Sequence, residues 1–298
     1  MSTTRRWLAH LWQEWTVESW RPIAPACAKP QPERWPPDRL TAAWLGHSTV
    51  LLNFFGVTVL TDPVLLSRIG IPLPFTAIGP KRLIKPALKL DELPPIDLII
   101  LSHAHFDHID WRTLRQFDPR TEVVTAPRTR DLLRWTGLRK ITELRWGESH
   151  KIQTAAGSLL VSAFPVNHWG ARIQSDTYRG YNGYVAEREG RRVIFAGDTA
   201  LTNSFAELRD DRPYDLAIFG IGAYDPWIRS HCNPEQAVAM ANAAGARFIM
   251  PVHHQTFKLS VEPFREPIER FVRALAKEPE RIALREIGET FALPASLK

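Results

Sequence analysis

Four side chains able to bind metal fall within one six-residue run, His103-Ala104-His105-Phe106-Asp107-His108. The run follows Ile96-Asp97-Leu98-Ile99-Ile100-Leu101-Ser102, a short β-branched apolar segment that reads as a buried strand. Burying three imidazoles and a carboxylate together is costly unless each polar group finds a partner, and two divalent cations would supply that partnership. His103 and His105 are two apart, so in extended backbone they point the same way and can share one metal. Asp107 and His108 lie past the strand end, where they can turn toward a second. Two such cations ionise a water near neutral pH and neutralise charge on a phosphoryl or carbonyl oxygen, which is the chemistry of a hydrolase. A single histidine on an apolar face is usually a packed core residue. Three of the ten histidines within six positions, interleaved with an aspartate, do not fit that reading.

The run resembles the HxHxDH signature of the metallo-β-lactamase superfamily. Later segments offer further ligands in the order that family uses: His168 in Phe164-Pro165-Val166-Asn167-His168, Asp198 in Phe195-Ala196-Gly197-Asp198-Thr199, and His253 in Met250-Pro251-Val252-His253-His254. Each follows an apolar run. The resemblance implies that His103, His105 and His168 hold one metal, that Asp107, His108 and His253 hold the other, and that Asp198 bridges them. It also implies that Asp62, in Thr61-Asp62-Pro63, supports the site from behind by orienting a ligating imidazole. His254 competes with His253, which its place in the family pattern favours, and Cys232 is not expected to be a ligand. The resemblance covers roughly residues 40 to 293.

A narrower likeness is carried by Trp44-Leu45-Gly46-His47-Ser48-Thr49, Gly79-Pro80-Lys81-Arg82, Ile221-Gly222-Ala223-Tyr224-Asp225-Pro226, His231-Cys232-Asn233-Pro234-Glu235 and His253-His254-Gln255-Thr256-Phe257. These segments are similar to the N-acylphosphatidylethanolamine phospholipase D family, whose wider branch includes L-ascorbate-6-phosphate lactonases. The resemblance implies a metal-dependent phosphodiesterase acting on N-acylated phospholipid. The alternative is a soluble lactonase or small phosphoester hydrolase using the same hydroxide. Asp107 is then both ligand and proton acceptor, and His231 binds a phosphate oxygen or protonates the leaving group. Tyr224 and His47 are further candidates at the site. The imidazole and carboxylate donor set suits Zn²⁺, and also accepts Mn²⁺ or Fe²⁺.

The elements that position these residues read as an αββα sandwich, two sheets face to face with helices outside. Residues 1 to 39 form a leading segment and residues 40 to 298 the hydrolase domain. Within the leading segment, Trp7, Leu8, Leu11, Trp12 and Trp15 predict an amphipathic helix over residues 1 to 21, followed by a Pro-rich connector over 22 to 38. The helix suits a membrane interface, or packing on its own domain or on a second subunit, and the sequence leaves these open. A strand meander over 40 to 61 turns about Gly56. Residues 63 to 95 read as a long loop rimming the site, with Lys81, Arg82, Lys85 and Lys89 as candidate contacts for a substrate phosphate. A short helix is expected over 110 to 117, strand-helix-strand over 122 to 146, strands at 158 to 165, 181 to 188, 191 to 196, 215 to 219 and 247 to 252, and a mobile polar loop over 171 to 180. Asn233 caps a helix that Gly245 stops, and a last helix covers about 264 to 277.

Of the 298 residues, 44% are hydrophobic and 23% charged, ample for a large core. No apolar run approaches the roughly 20 residues of a membrane span, and no signal peptide is evident. Two cysteines exclude a disulfide framework and fit a reducing cytoplasm. The net charge of +6 favours an acidic partner such as a phospholipid head group or a phosphorylated metabolite. The arginines between 112 and 145 form no compact block, which disfavours nucleic acid.

Overall fold

The computed structural model describes residues 18 and 20–295. The helix expected over residues 1 to 21 lies almost wholly outside them. Two β-sheets face each other. The first runs in the order β15 (Thr290–Ala292), β1 (Leu40–Gly46), β2 (Thr49–Phe54), β3 (Val57–Thr61), β6 (Leu98–Leu101), β7 (Glu122–Thr125) and β8 (Lys140–Glu143). The second runs β14 (Ala246–Val252), β13 (Tyr214–Gly220), β12 (Arg191–Phe195), β11 (Gly183–Arg188), β10 (Gly157–Phe164) and β9 (Ser149–Thr154). A two-stranded ribbon, β4 (Ile71–Pro72) with β5 (Ala77–Ile78), stands apart.

Side-chain alternation along the strands builds four layers. In β13, Leu216 and Ile218 enter the core between the sheets, with Trp44, Leu51, Leu60, Val161, Tyr184 and Met250. Its intervening Ala217 and Phe219 face outward against Ala237, Met240 and Ala241 of α4 (Pro234–Ala244) and Ile268 and Phe271 of α5 (Glu266–Ala274). The first sheet does the same: Leu98 and Ile100 of β6 point inward, while Ile99 and Leu101 meet Leu114 of α1 (Trp111–Leu114) and Leu132 and Leu133 of α2 (Arg130–Leu133). Strands buried on both faces read as continuous apolar runs rather than alternating ones. Each fully buried Leu or Ile contributes about 1.5–3 kcal/mol. The αββα sandwich expected from the sequence is the fold.

The parallel neighbours matter most for function. β3, β6, β7 and β8 run parallel in one sheet, as do β12, β13 and β14 in the other. Their C-terminal ends share an edge, so the loops that follow them meet there. Helix α4 is delimited as expected: the Asn233 side chain accepts from the Gln236 amide, Gln236 returns the bond, and Gly245 closes the helix at φ 80°.

Several expectations need correction. The 63 to 95 segment is not a bare rim. It carries β4 and β5, and its Arg82 is fully buried, donating to the carbonyls of Leu66, Val64 and Ile84. Lys81 Nζ donates to the Arg21 carbonyl at 2.5 Å. Both tie the chain together, and Arg82, being fully buried, is not exposed to a substrate. The 171 to 180 segment is pinned, not loose: Arg179 pairs with buried Asp176 at 2.6 Å and with Asp131 at 2.6 Å. The helix expected over 110 to 117 is one turn, α1, capped by Asp110. Strands β9 and β15 and the single turn α3 (Ser204–Glu207) were not expected.

Candidate metal centre

Each sequence-predicted ligand sits in a loop after a strand of that shared edge. His103, His105, Asp107 and His108 follow β6, His168 follows β10, Asp198 follows β12, His231 lies between β13 and α4, and His253 follows β14. Room for the loops is made by glycine. Gly197 has φ +60°, and a Cβ there would lie 2.8 Å from Ser102 Cβ; a Cβ on Gly222 would collide with the His253 carbonyl. Non-glycine residues around the centre also take left-handed backbone: His47 (φ 53°), Asp62 (φ 32°), His253 (φ 61°) and Gln255 (φ 57°). Such conformations cost of order 1–3 kcal/mol each and persist where surrounding structure holds them.

The side chains converge in two halves. In one, His103 Nε2 lies 2.8 Å from His105 Nδ1, which lies 3.4 Å from His168 Nε2. In the other, His108 Nε2 and His253 Nε2 each lie 3.6 Å from Asp107 Oδ2, and His47 Nε2 lies 3.1 Å from the same oxygen. Asp198 Oδ2 reaches both halves, 3.1 Å from His108, 3.2 Å from His253, 3.9 Å from His103 and 4.0 Å from His168. His231 Nδ1 is 3.7 Å from it. All seven predicted ligands are therefore together, with His231 beside them.

A surrounding layer fixes the rings. Asp62 Oδ2 accepts from His108 Nδ1 at 2.6 Å and from Ser102 Oγ at 2.5 Å, and Ser102 Oγ lies 2.8 Å from His103 Nδ1. His168 Nδ1 donates to the Ser230 carbonyl at 2.8 Å. With the proton held on Nδ1, the Nε2 lone pairs of His103, His108 and His168 point into the centre. Arg172 donates to the carbonyls of Ala104 and Ile109, both at 2.9 Å, and lies over the rings of Phe106 and Trp111. It clamps both ends of the ligand loop. The role of Asp62 was expected; Ser102, the Ser230 carbonyl and Arg172 carry no sequence signal of their own. His47 proves to be part of the cluster. Tyr224 is not, since its hydroxyl donates to Glu266 at 2.8 Å. Cys232 instead donates to the Gly220 carbonyl, and His254 packs on Trp44.

The donor set fits cations on two grounds. His108 Nε2, His253 Nε2 and Asp198 Oδ1 are buried with no hydrogen-bond partner among the described residues. The electrostatics also ask for positive charge. Burial disfavours a charged His108, yet Asp198, Asp107 and Asp62 outweigh it and lift its pKa well above the usual range. Burial is likewise outweighed at His253, chiefly by Asp198, and its pKa rises to about 9. Burial keeps His103, His105 and His168 neutral, the pKa of His105 falling to about 4. One half offers neutral imidazoles; the other holds protons where cations would sit. Binding a metal must displace the His253 proton below pH about 9. Apparent metal affinity should therefore rise with pH, by up to about tenfold per unit for each proton released. A competing-chelator titration from pH 6 to 9.5 checks this, and a pH-independent affinity would contradict it.

Comparison with known proteins points to a family. A model of the beta-lactamase superfamily domain matches residues 58–254. An uncharacterized protein of Mycobacterium tuberculosis is 35% identical over 274 residues, covering 89% of this chain and 71% of that protein. The N-acyl-phosphatidylethanolamine-hydrolyzing phospholipase D 1 of Caenorhabditis elegans is 33% identical over 247 residues, covering 78% and 68% respectively. Among solved structures, Igni18, a metallo hydrolase of Ignicoccus hospitalis, superposes with a TM-score of 0.65 at 20% identity, covering 86% of this chain and 98% of its own. With family model, relatives and fold in agreement, the chain belongs to the metallo-β-lactamase superfamily, as a metal-dependent hydrolase related to the N-acyl-phosphatidylethanolamine-hydrolyzing phospholipases D.

Proposed function

We propose that this chain is a binuclear phosphodiesterase of phospholipase D type, acting on N-acylphosphatidylethanolamine-like lipids. His103, His105 and His168 would hold one cation, Asp107, His108 and His253 the other, with Asp198 between them; Zn²⁺ suits the donors best. The observation that carries the reading is the meeting of these seven side chains around the Asp198 carboxylate. Cations bound there would supply Lewis acidity, bringing the pKa of a water from about 16 toward about 7. Asp107 would take the proton of the attacking water. Burial lowers the pKa of His231, so the neutral ring serves as a hydrogen-bond donor to a phosphate oxygen. The new bond joins the water oxygen to phosphorus. The bond that breaks is the one to the N-acylethanolamine oxygen, which would leave with the proton that Asp107 took from the water.

The lipid rather than a soluble ester is favoured by the rim. Loops bearing His168, Asp198 and His231 also carry Trp169, Leu201, Trp227 and Ile228, which are 51%, 52%, 56% and 42% exposed. The Trp169 ring reaches 4.5 Å from that of His105, so this apolar surface adjoins the centre. Exposed apolar groups clustered around a reactive site suit a substrate drawn from a bilayer. Among the described residues no helix is long and apolar enough to cross a membrane. The test compares vesicles containing N-acylphosphatidylethanolamine with a soluble aryl phosphodiester and a lactone. Phosphatidic acid should appear from the vesicles, and Trp227→Ser with Ile228→Ser should slow that reaction about tenfold or more while sparing the soluble diester. Turnover of the lactone alone would overturn the lipid reading.

A further inference from the structure

His47 sits inside the ligand cluster without belonging to the seven expected ligands. The turn that carries it, Gly46-His47-Ser48, joins β1 to β2. Because β2 is antiparallel to both β1 and β3, this turn falls on the edge where the ligand loops meet. The backbone there is tightly held. His47 is left-handed at φ 53°, and its amide donates to Thr256 Oγ1 at 2.6 Å. Its carbonyl accepts from Trp44 Nε1 at 2.7 Å and from the His253 amide at 2.9 Å. The ring is fixed as well. His47 is 1% exposed, and its ring centroid lies 4.2 Å from that of His253, 5.3 Å from His108 and 5.3 Å from Phe257.

Nε2 of this fixed ring lies 3.1 Å from Asp107 Oδ2, the oxygen that stands 3.6 Å from the Nε2 atoms of His108 and His253. An ionised carboxylate can only accept, so a hydrogen bond here is donated by His47. Among the described residues, the other side chains paired with Asp107 are the expected ligands His108 and His253. We propose that His47 is a positioning residue, whose Nε2–H holds the Asp107 carboxylate in the orientation that a cation shared with His108 and His253 requires. The inference rests on the binuclear reading above. One turn then governs two of the three ligands of that half, Asp107 through the ring and His253 through the carbonyl. His47 groups with Asp107, His108 and His253 and not with His103, His105 and His168, so its influence is confined to one cation. Ligation through the same nitrogen is the rival role, and the two predict different variants to survive.

Chelator-competition titration of the full chain with Zn²⁺ tests this in His47→Phe and His47→Gln. Both variants keep a side chain on the left-handed turn, so backbone strain is common to them. Phenylalanine retains a ring against His253 but cannot donate, whereas glutamine offers an N–H close to the place of Nε2. In His47→Phe one of the two Zn²⁺ equivalents should weaken about 10–100-fold, the range for groups that orient ligands, while the other is unchanged. His47→Gln should recover the wild-type affinity to within a few-fold. Unchanged binding in His47→Phe, or equal weakening of both equivalents, overturns the proposal. So does a failure of His47→Gln to recover, which would assign His47 as a ligand. Nuclear magnetic resonance of wild type carrying isotope-labelled histidine needs no variant to fold. The His47 ring proton should reside on Nε2, and a proton on Nδ1 alone overturns the proposal. A wild type that binds fewer than two Zn²⁺ sinks the binuclear reading, and the ring proton then decides the contact with Asp107 by itself.

Discussion

Asp198→Ala should lower phosphodiester hydrolysis by at least about a thousandfold and strip metal from the protein at the same time. Asp198 reaches both halves of the centre, with Oδ2 between 3.1 and 4.0 Å from His108, His253, His103 and His168. Burial opposes its ionisation, but His253 and His108 hold its pKa well below the ordinary carboxylate range, so it is an anion throughout the neutral range. Removing it deletes the shared charge and leaves the buried His108 and His253 with Asp107 and Asp62 as their remaining carboxylates, the kind of loss in a buried charge network that costs several kcal/mol. Asp198→Asn separates charge from shape: it keeps the volume and one oxygen, and should recover folding but not tight metal binding. Turnover and metal content by elemental analysis are the readouts. A variant that lost activity while keeping wild-type metal content would assign Asp198 a role in the chemical step instead.

Asp62→Ala should cost about 10–100-fold in metal affinity without touching a ligand, the range found for groups that orient ligating imidazoles. Asp62 is fully buried and accepts from His108 Nδ1 at 2.6 Å, from Ser102 Oγ at 2.5 Å and from the Ser102 amide at 2.7 Å. Its loss frees the His108 ring to turn and orphans two Ser102 donors, each at about 1–3 kcal/mol. The melting temperature of the metal-free protein should therefore fall together with affinity. Asp62→Asn, which can still accept from Ser102, should restore most of the stability but less of the affinity, because a neutral amide polarises His108 less. Equal metal affinity in wild type and Asp62→Ala would remove the orienting role.

The ligand run after β6 was legible because the chemistry is local: four donors in six residues cannot all be packed away unpaired. His168, Asp198 and His253 were legible because each ends an apolar run in a known order. The contacts that tune them were not legible, because they join residues distant in the chain. Ser102 reaches Asp62 from β3, and Arg172 crosses from the His168 loop to the carbonyls of Ala104 and Ile109. Arg82 misled for a physical reason. A cation in a Pro-rich loop reads as solvated, yet here backbone carbonyls replace water around it and bury it completely. Strand β9 escaped notice because Ser149-His150-Lys151-Ile152-Gln153-Thr154 is an edge strand that pairs only with β10 and keeps the polar, charged character that guards an open edge. At three residues, β15 is too short to show a period; it is defined by pairing with β1.

The proposed function requires a pair of cations held across Asp198, and counting metal per chain tests it most directly. Elemental analysis of the wild type after dialysis against Zn²⁺ should give close to two equivalents, falling below one in Asp198→Ala. A wild type that retains no tightly bound metal yet hydrolyses the phosphodiester at full rate would contradict it.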